Sequence, residues 1–155
     1  MVIEIIKEED FEKCHEMIAK TCRISFANHY PESEIEKIIK SLSVSALKER
    51  AGVAHFYVVK IDENIVGCGA VTGYWGSETE SILLSIFVDP DYQKKGIGRL
   101  IISTLENDEY GKRAKRIEIP ASMVALPFYK KCGYNHKNGV LNYDDGHFAI
   151  EKFFK

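Results

Sequence analysis

The chain has 155 residues, 45% of them hydrophobic, and a formal net charge of −2. This length is typical of one globular domain that buries a core without disulfides or metal ions. A net charge so close to zero creates no field that attracts nucleic acid, so we expect no nucleic-acid partner. The four cysteines show no Cys-x-x-Cys spacing, so we expect reduced thiols and no metal site.

The first eight residues carry no basic lead and only a short, interrupted apolar run. We therefore expect neither a signal peptide nor a transmembrane segment, and we predict a cytoplasmic protein without a membrane partner.

The first half of the chain predicts a strand, two helices and a hairpin. Residues 2–6 alternate apolar and acidic side chains, which is typical of a strand. A second helix begins at Pro31, and a helical continuation of it is expected to reach about Arg50. Residues 54–60 and 65–72 read as paired strands. The first helix has an apolar stripe formed by Phe11, Cys14, Met17, Ile18 and Cys22.

The second half predicts alternating strands and helices. Residues 82–88 are apolar at six positions, which predicts a central strand buried on both faces. A helix from residue 97 to 108 leads to a parallel neighbouring strand at 115–119. The remaining elements are a helix at 123–132 closed by Gly133 and a last strand at 146–154. With no repeat or linker, we predict a single α/β (α+β) domain spanning residues 1–155.

A glycine turn follows the buried strand, in the segment Gln93-Lys94-Lys95-Gly96-Ile97-Gly98-Arg99. Because Gly96 and Gly98 have no side chain, their backbone can take positive φ and lie close to a ligand. The next helix directs its unpaired N–H groups and the positive end of its dipole to this turn. The pattern therefore predicts that the turn binds an anion, namely a diphosphate.

Two nucleotide-binding motifs fit the turn poorly because of what it lacks. A Rossmann fingerprint needs a third glycine where this chain has Ile101. A P-loop needs Gly-Lys-Ser/Thr where it has Gly98-Arg99-Leu100. The alternative without a ligand is an ordinary turn at the start of a helix.

The pattern Gln-x-x-Gly-x-Gly after a strand ending in Val-x-Pro resembles the coenzyme A diphosphate loop of the GNAT superfamily of N-acetyltransferases. The order of predicted elements is similar across nearly the whole chain. The resemblance implies a single-layer mixed, mostly antiparallel sheet flanked by helices, with acetyl-CoA as cosubstrate. It implies main-chain bonds from Ile86, Phe87 and Val88 to the pantetheine arm. The implied diphosphate-binding residues are Gln93, Lys94, Lys95, Gly96, Ile97, Gly98 and Arg99.

The segment from Ser122 to Tyr134 resembles a second GNAT signature, in which a helix presents a tyrosine to the cofactor sulfur. The resemblance implies that Tyr129 is the general acid and that Phe128 and Ser122 contact the cofactor. The family often has asparagine at the position of Ser122, whose hydroxyl has a shorter reach. The alternative reading of Phe128 and Tyr129 is an aromatic pair that packs the helix on the sheet.

The general base is less defined. Family members often use a glutamate early in the long strand, at the position held here by Ile82. Glu80 lies two residues earlier on the same face of an extended strand, and Glu78 lies beyond it. We predict Glu80 as the base; the alternatives are Glu78, solvated carboxylates without a role, and an acceptor that arrives already deprotonated.

The resemblance implies direct transfer of acetyl from acetyl-CoA to a primary amine of a small molecule or a peptide or protein. A noncatalytic acyl-CoA-binding sensor or interaction module on the same fold is the first alternative, and a nucleotide-binding protein of another class is a second. Exposed sheet edges would allow a homodimer. Acidic and aromatic side chains in loops or helix starts would suit a cationic amine. They are Tyr30, Glu32, Glu34, Tyr74, Trp75, Glu78, Glu80, Asp144 and Asp145.

Overall fold

The computed structural model describes residues 1–144 and 146–155. They form two compact units. Unit 1 comprises Met1–Ala70 and Ser85–Ile101, and unit 2 comprises Val71–Leu84 and Ile102–Lys155. The single domain expected for residues 1–155 stays a prediction. No helix among the described residues has the length and apolar character needed to cross a membrane.

Unit 1 contains one sheet region and three helices. Three further elements contribute residues to both units: strands β3 (Asn64–Gly73) and β4 (Glu80–Val88) and helix α4 (Ile97–Asn107). The elements that lie wholly in unit 1 are β1 (Val2–Ile5), α1 (Phe11–Ser25), α2 (Glu32–Ser41), α3 (Val44–Val53) and β2 (His55–Ile61).

The strands and helices observed in unit 1 agree with those predicted from the sequence, with one correction. The predicted apolar stripe of α1 is buried throughout. The expected continuation of α2 is instead the separate helix α3, because Ser43 caps a new start by accepting a hydrogen bond from the Ala46 N–H at 3.2 Å. In the sheet, β1 pairs antiparallel with β2, and β3 and β4 follow in that order.

Unit 2 is built around a second stretch of sheet in the order β3-β4-β5-β8-β6, with β7 paired to β8. The pairing of β4 with β5 is parallel, as the strand–helix–strand pattern predicts, and the pairings of β5, β6 and β7 with β8 are antiparallel. The elements that lie wholly in unit 2 are α5 (Glu109–Arg113), β5 (Arg116–Ala121), α6 (Leu126–Lys131), β6 (Asn135–His136), β7 (Tyr143–Asp144) and β8 (His147–Phe153).

Sequence reasoning missed α5 and the short strands β6 and β7, and it began α6 three residues too early. Gly133 does close α6, with a φ of 98° that favours glycine. The mixed, mostly antiparallel sheet flanked by helices confirms the predicted fold class.

Strand β4 is only partly buried, which corrects the expectation that both of its faces are covered. Ile82 and Leu83 are buried, whereas residues 84–88 are half-buried. The parallel ladder with β5 ends at Ile82↔Glu118, although β4 continues to Val88. Ser85 has a φ of 54° and so breaks the extended backbone of the strand. An apolar run does not reveal whether its neighbours are protein or ligand.

Candidate active site

The glycine turn in unit 1 connects the end of β4 to the start of α4. Asp89 begins it by accepting a hydrogen bond from the Asp91 N–H at 2.9 Å. The Gln93 side-chain amide donates to the carbonyl oxygen of Val88 at 3.2 Å, which ties the turn to the strand. Gly96 has a φ of 83°. The second left-handed residue of the turn is Lys94, with a φ of 63°, and not Gly98, which lies within α4.

Three cations surround this turn without protein partners of opposite charge. Lys94, Lys95 and Arg99 are exposed, and none forms an ion pair with a residue in 1–144 or 146–155. The Lys95 ammonium lies 5.7 Å from the centroid of the Tyr92 ring. The turn therefore combines a helix N-terminus with unpaired positive charge, which is the arrangement that binds phosphate groups.

Gly67 on β3 allows α4 to pack closely against the sheet, and sequence reasoning missed it. A Cβ at this position would lie 3.0 Å from Ile101 Cδ1, 3.1 Å from Ile97 Cγ2 and 3.3 Å from the carbonyl oxygen of Phe87. A glycine inside a strand pattern is itself a signal of close approach, and this signal was available from the sequence.

Lys20 on α1 anchors the first residues of the turn. Its ammonium lies 2.9 Å from Asp89 Oδ1 and 2.7 Å from Asp91 Oδ2. Hydrogen bonds to Asp91 and Asp89 raise the pKa of Lys20. Sequence reasoning missed this contact because its partners are 69 and 71 residues away along the chain.

The C-terminal part of β4 presents the backbone of Ile86, Phe87 and Val88 next to the bend at Ser85. The Cys68 thiol donates to the carbonyl oxygen of Ser85 at 3.1 Å, and the Ser85 hydroxyl accepts a hydrogen bond from Arg50. These two contacts hold a residue whose left-handed backbone is unfavourable for any side chain.

The cysteines of unit 1 are buried in its core. Cys14, Cys22 and Cys68 have no exposed surface. Burial is the main cause that raises the pKa of Cys22 to about 12, and burial likewise raises the pKa of Cys68. Thiols that stay protonated are poor nucleophiles, so these side chains serve as small core residues.

Tyr129 lies in unit 2, on the short helix α6. The turn before this helix is closed by Ser122, whose hydroxyl accepts a hydrogen bond from the Ala125 N–H at 3.0 Å. The Tyr129 side chain is only 4% exposed, and its ring centroid lies 5.6 Å from that of Phe128. Ser122 thus closes the turn before α6, and Tyr129 packs beside Phe128; both contacts are compatible with a role of Tyr129 in proton transfer.

Tyr134, which follows Gly133, is a structural residue. Its hydroxyl donates to Glu106 Oε2 at 2.7 Å, and the side chain is fully buried. Burial is the main cause that raises the pKa of Tyr134 well above its ordinary value, followed by the nearby Glu106 carboxylate. The phenol therefore stays protonated and committed to Glu106.

Glu80 belongs to a charged group in unit 2 that we call the Arg116 cluster. Arg116 Nη1 lies 3.7 Å from Glu80 Oε1, and Arg116 Nε lies 2.7 Å from Glu151 Oε1. Arg116 also pairs with Glu118, whose other cation is Lys137 at 3.0 Å. Glu80 is thus not an isolated solvated carboxylate. Sequence reasoning missed its partners, since strand pairing alone brings them together.

The other residues named for an amine acceptor belong to both units. In unit 1, Tyr30 is buried, and Glu32 and Glu34 lie in the first turn of α2. In unit 2, Trp75 is 79% exposed and contacts the Tyr74 ring edge-on. Glu78 and Asp144 are exposed. Asp145 lies outside the described residues.

Comparison with known proteins identifies the family. Residues 52–136 match the sequence model of the acetyltransferase (GNAT) domain. This match covers more than half of the chain, which therefore belongs to the GNAT acetyltransferase family, as the sequence predicted. One relative is the [ribosomal protein bS18]-alanine N-acetyltransferase of Escherichia coli (strain K12), 36% identical over 67 residues. That match covers 41% of this chain and 45% of the relative, so the chain spans about half the length of this curated relative.

Other relatives cover more of the chain. The uncharacterized N-acetyltransferase YafP of Escherichia coli (strain K12) is 22% identical over 125 residues, which are 81% of this chain and 75% of that protein. The PaiA N-acetyltransferase of Thermoplasma acidophilum, solved in complex with coenzyme A, superposes with a TM-score of 0.82 at 23% identity. This superposition covers 99% of this chain and 100% of that one. At this identity the likeness establishes the fold.

Proposed function

We propose that this protein is an N-acetyltransferase that moves the acetyl group of acetyl-CoA to a primary amine of a small molecule, peptide or protein. The observation that carries the proposal is the glycine turn, where unpaired cations surround left-handed Gly96 at the start of α4. In a chain of the GNAT family, the ligand that fits this turn is the diphosphate of coenzyme A.

The chain's own groups would hold the cosubstrate at two places. N–H groups of residues 94–99 donate to the diphosphate, and Lys94, Lys95 and Arg99 add positive charge. The backbone of Ile86, Phe87 and Val88 pairs with the pantetheine amides, which satisfies polar groups on the half-buried part of β4. Ser122 and Phe128 complete the proposed contacts.

In the transfer step, the amine nitrogen attacks the thioester carbonyl carbon, so a C–N bond forms and the C–S bond breaks. Tyr129 donates its phenolic proton to the departing sulfur and regains a proton from solvent. A phenolic O–H next to the departing sulfur can donate a hydrogen bond or a proton to the thiolate as it forms.

Glu80 is the proposed acceptor of the proton that the amine loses. Its Oε1 atom lies 3.7 Å from Arg116 Nη1, and this contact would hold the side chain in position to take the proton. Glu80→Gln should lower kcat/KM at pH 7 and remove the acidic limb of the pH–rate profile, whereas Glu78→Gln should leave both unchanged. An unchanged profile in Glu80→Gln would leave an acceptor that binds already deprotonated as the explanation.

The acceptor panel follows from the relatives. One relative is named for acetylating an alanine of a ribosomal protein, so the panel includes peptides with free N-termini as well as small amines. A cytoplasmic location and a homodimer also remain proposals. Cell fractionation and light scattering test them.

The deciding experiment combines ligand binding with turnover. Acetyl-CoA at 100 times its dissociation constant should stabilise the protein by about 2.7 kcal/mol in thermal unfolding, and NAD and ATP should not. Release of free thiol with an amine panel then reports transfer. Binding without thiol release from any amine would favour the noncatalytic acyl-CoA-binding module, and stabilisation by NAD or ATP alone would contradict the proposal.

Tyr129→Phe tests the proton donor. We expect kcat to fall about 100-fold, because only the phenolic proton is removed, while acetyl-CoA affinity is retained. Tyr143→Phe is the matched control, since it removes the hydroxyl of an exposed tyrosine of unit 2. Unchanged turnover in Tyr129→Phe would exclude Tyr129 as the acid.

A further inference from the structure

Arg50, in the last turn of α3, is a half-buried cation without an ionic partner. Its guanidinium donates to the Ser85 hydroxyl, and it forms no ion pair with a residue in 1–144 or 146–155. The side chain is half-buried, and this burial lowers the pKa of Arg50. A guanidinium has five N–H donors, so one hydroxyl leaves most of its capacity unused.

Another half-buried cation of unit 1, Lys60, shows what is missing at Arg50. Lys60, also half-buried, lies 2.9 Å from Glu4 Oε2 and 3.0 Å from Asp10 Oδ1. Side-chain charges removed from water are normally paired in this way, because an unpaired charge loses hydration without compensation. Arg50 departs from this rule, which indicates that its counter-charge comes from a ligand.

The position of Arg50 indicates which ligand supplies its counter-charge. Ser85, its hydrogen-bond partner, is the left-handed residue of β4, and the next three residues are those proposed to bind the pantetheine arm. The guanidinium therefore reaches the strand along which the acyl donor is proposed to lie. The remaining reactant at this strand is the acceptor.

We propose that Arg50 binds a carboxylate of the acceptor, so that the preferred acceptor is an amine that also carries a carboxylate group, as a free amino acid does. This proposal rests on the proposed N-acetyltransferase function. A guanidinium matches a carboxylate with two parallel hydrogen bonds, and a lysine ammonium at the same place cannot. Arg50 thereby selects the acceptor and takes no part in proton transfer.

The kinetic test compares amines with and without the carboxylate: histidine with histamine, tyrosine with tyramine, and lysine with cadaverine. The wild-type protein should favour the carboxylated member in kcat/KM by roughly tenfold to a hundredfold, mainly through KM. Arg50→Gln should abolish this ratio, and Arg50→Lys should restore only part of it. Lys48→Gln, which removes an exposed cation of the same helix, should keep the ratio.

A purely structural role for Arg50 gives a different result. If the guanidinium only supports the bend at Ser85, Arg50→Gln lowers kcat/KM for both members of each pair equally. An unchanged ratio, or a wild-type protein that prefers the amines without carboxylate, would overturn the proposal.

A binding measurement separates this proposal from the proposed function. In ¹⁵N NMR, N-acetylglycine should shift the Arg50 Nε resonance, and N-acetylglycinamide, which lacks the carboxylate, should not. If no amine is acetylated, the proposed function fails. The titration still tests, by itself, whether Arg50 binds a carboxylate. Equal shifts with both compounds, or none with either, would then refute it.

Discussion

The Arg116 cluster of unit 2 and the glycine turn of unit 1 both contain cations, but within the described part of the chain only the cluster pairs its cations with carboxylates. In the cluster, Arg116 and its partners Glu118 and Glu151 are each about 9 to 10% exposed, and the charges are paired. In the turn, Lys94, Lys95 and Arg99 are exposed and have no carboxylate partner among the described residues. The paired, shielded charges of Arg116, Glu118 and Glu151 belong to the fold, and unpaired charge is available to a ligand.

This difference separates stability from binding. Breaking a buried ion pair leaves an uncompensated charge and destabilises a protein strongly, whereas an exposed cation contributes little to folding. Variants in the two regions should therefore change different measurements.

The largest expected effect follows from Arg116→Met. It leaves Glu118 and Glu151 shielded from water without their guanidinium, so the free energy of unfolding in urea should fall by about 3 to 5 kcal/mol. Arg116→Met combined with Glu118→Gln and Glu151→Gln should recover much of the loss. If the single variant is as stable as the wild type, the cluster does not hold the fold.

The next effect concerns the shape of the turn. Gly96→Ala meets no atom within 4 Å, so its cost is the φ of 83° alone, about 1 kcal/mol of stability. The altered turn should also weaken acetyl-CoA binding in calorimetry. Gly139→Ala, at a φ of 71° with the same open space, is the matched control: it should cost similar stability and leave the affinity unchanged. If Gly96→Ala binds acetyl-CoA as tightly as Gly139→Ala does, the diphosphate does not bind at this turn.

Neutralising the turn should change binding and not folding. In the triple variant Lys94→Gln, Lys95→Gln, Arg99→Gln, the dissociation constant for acetyl-CoA should rise about tenfold, and it should depend less on salt. The free energy of unfolding should stay within about 0.5 kcal/mol of the wild-type value. Lys40→Gln, at an exposed position on α2, serves as the control for charge alone. If the triple variant loses stability but keeps its affinity for acetyl-CoA, the three cations serve the fold and do not bind the ligand.

The smallest expected effect is a loss of folding stability at low pH. Burial opposes ionisation of Glu151, but hydrogen bonds from Arg116 and the Asn138 N–H outweigh it and hold the pKa of Glu151 below its ordinary value of 4.5. Below pH 4.5 the unfolded chain therefore binds more protons than the folded one, so stability is present above this pH and declines as the pH falls through the lowered pKa. Urea midpoints between pH 3 and 7 measure the decline, which Glu151→Gln should reduce. An equal decline in both proteins would assign it to other carboxylates.

The glycine turn and the Arg116 cluster also differ in how far the sequence could predict them. The turn was predictable, because an apolar run, two glycines and a helical stripe are all local patterns. The Arg116 cluster was not, because strand pairing brings residues 116, 118 and 151 together. The bend at Ser85 and the anchor at Lys20 likewise depend on partners far along the chain.

Two of the helix starts that were not predicted are marked by capping residues in the sequence. Helix α5 begins at an Asp108 cap, which accepts a hydrogen bond from the Tyr110 N–H at 2.9 Å. Aspartate before a new helical turn is a recognisable start signal, but the helix predicted for residues 97–108 ended at Asp108 and no second helix was expected after it. The capping residue Ser43 of α3 was missed in the same way.

The close packing at Gly67 has a consequence for the kinetics of ligand capture. Since Ile97 and Ile101 are seated against β3, packing within the chain fixes the position of the first turn of α4. We therefore expect little conformational entropy to be lost when the proposed diphosphate binds, and no slow rearrangement before binding. Association should follow a single exponential whose rate rises linearly with cosubstrate concentration.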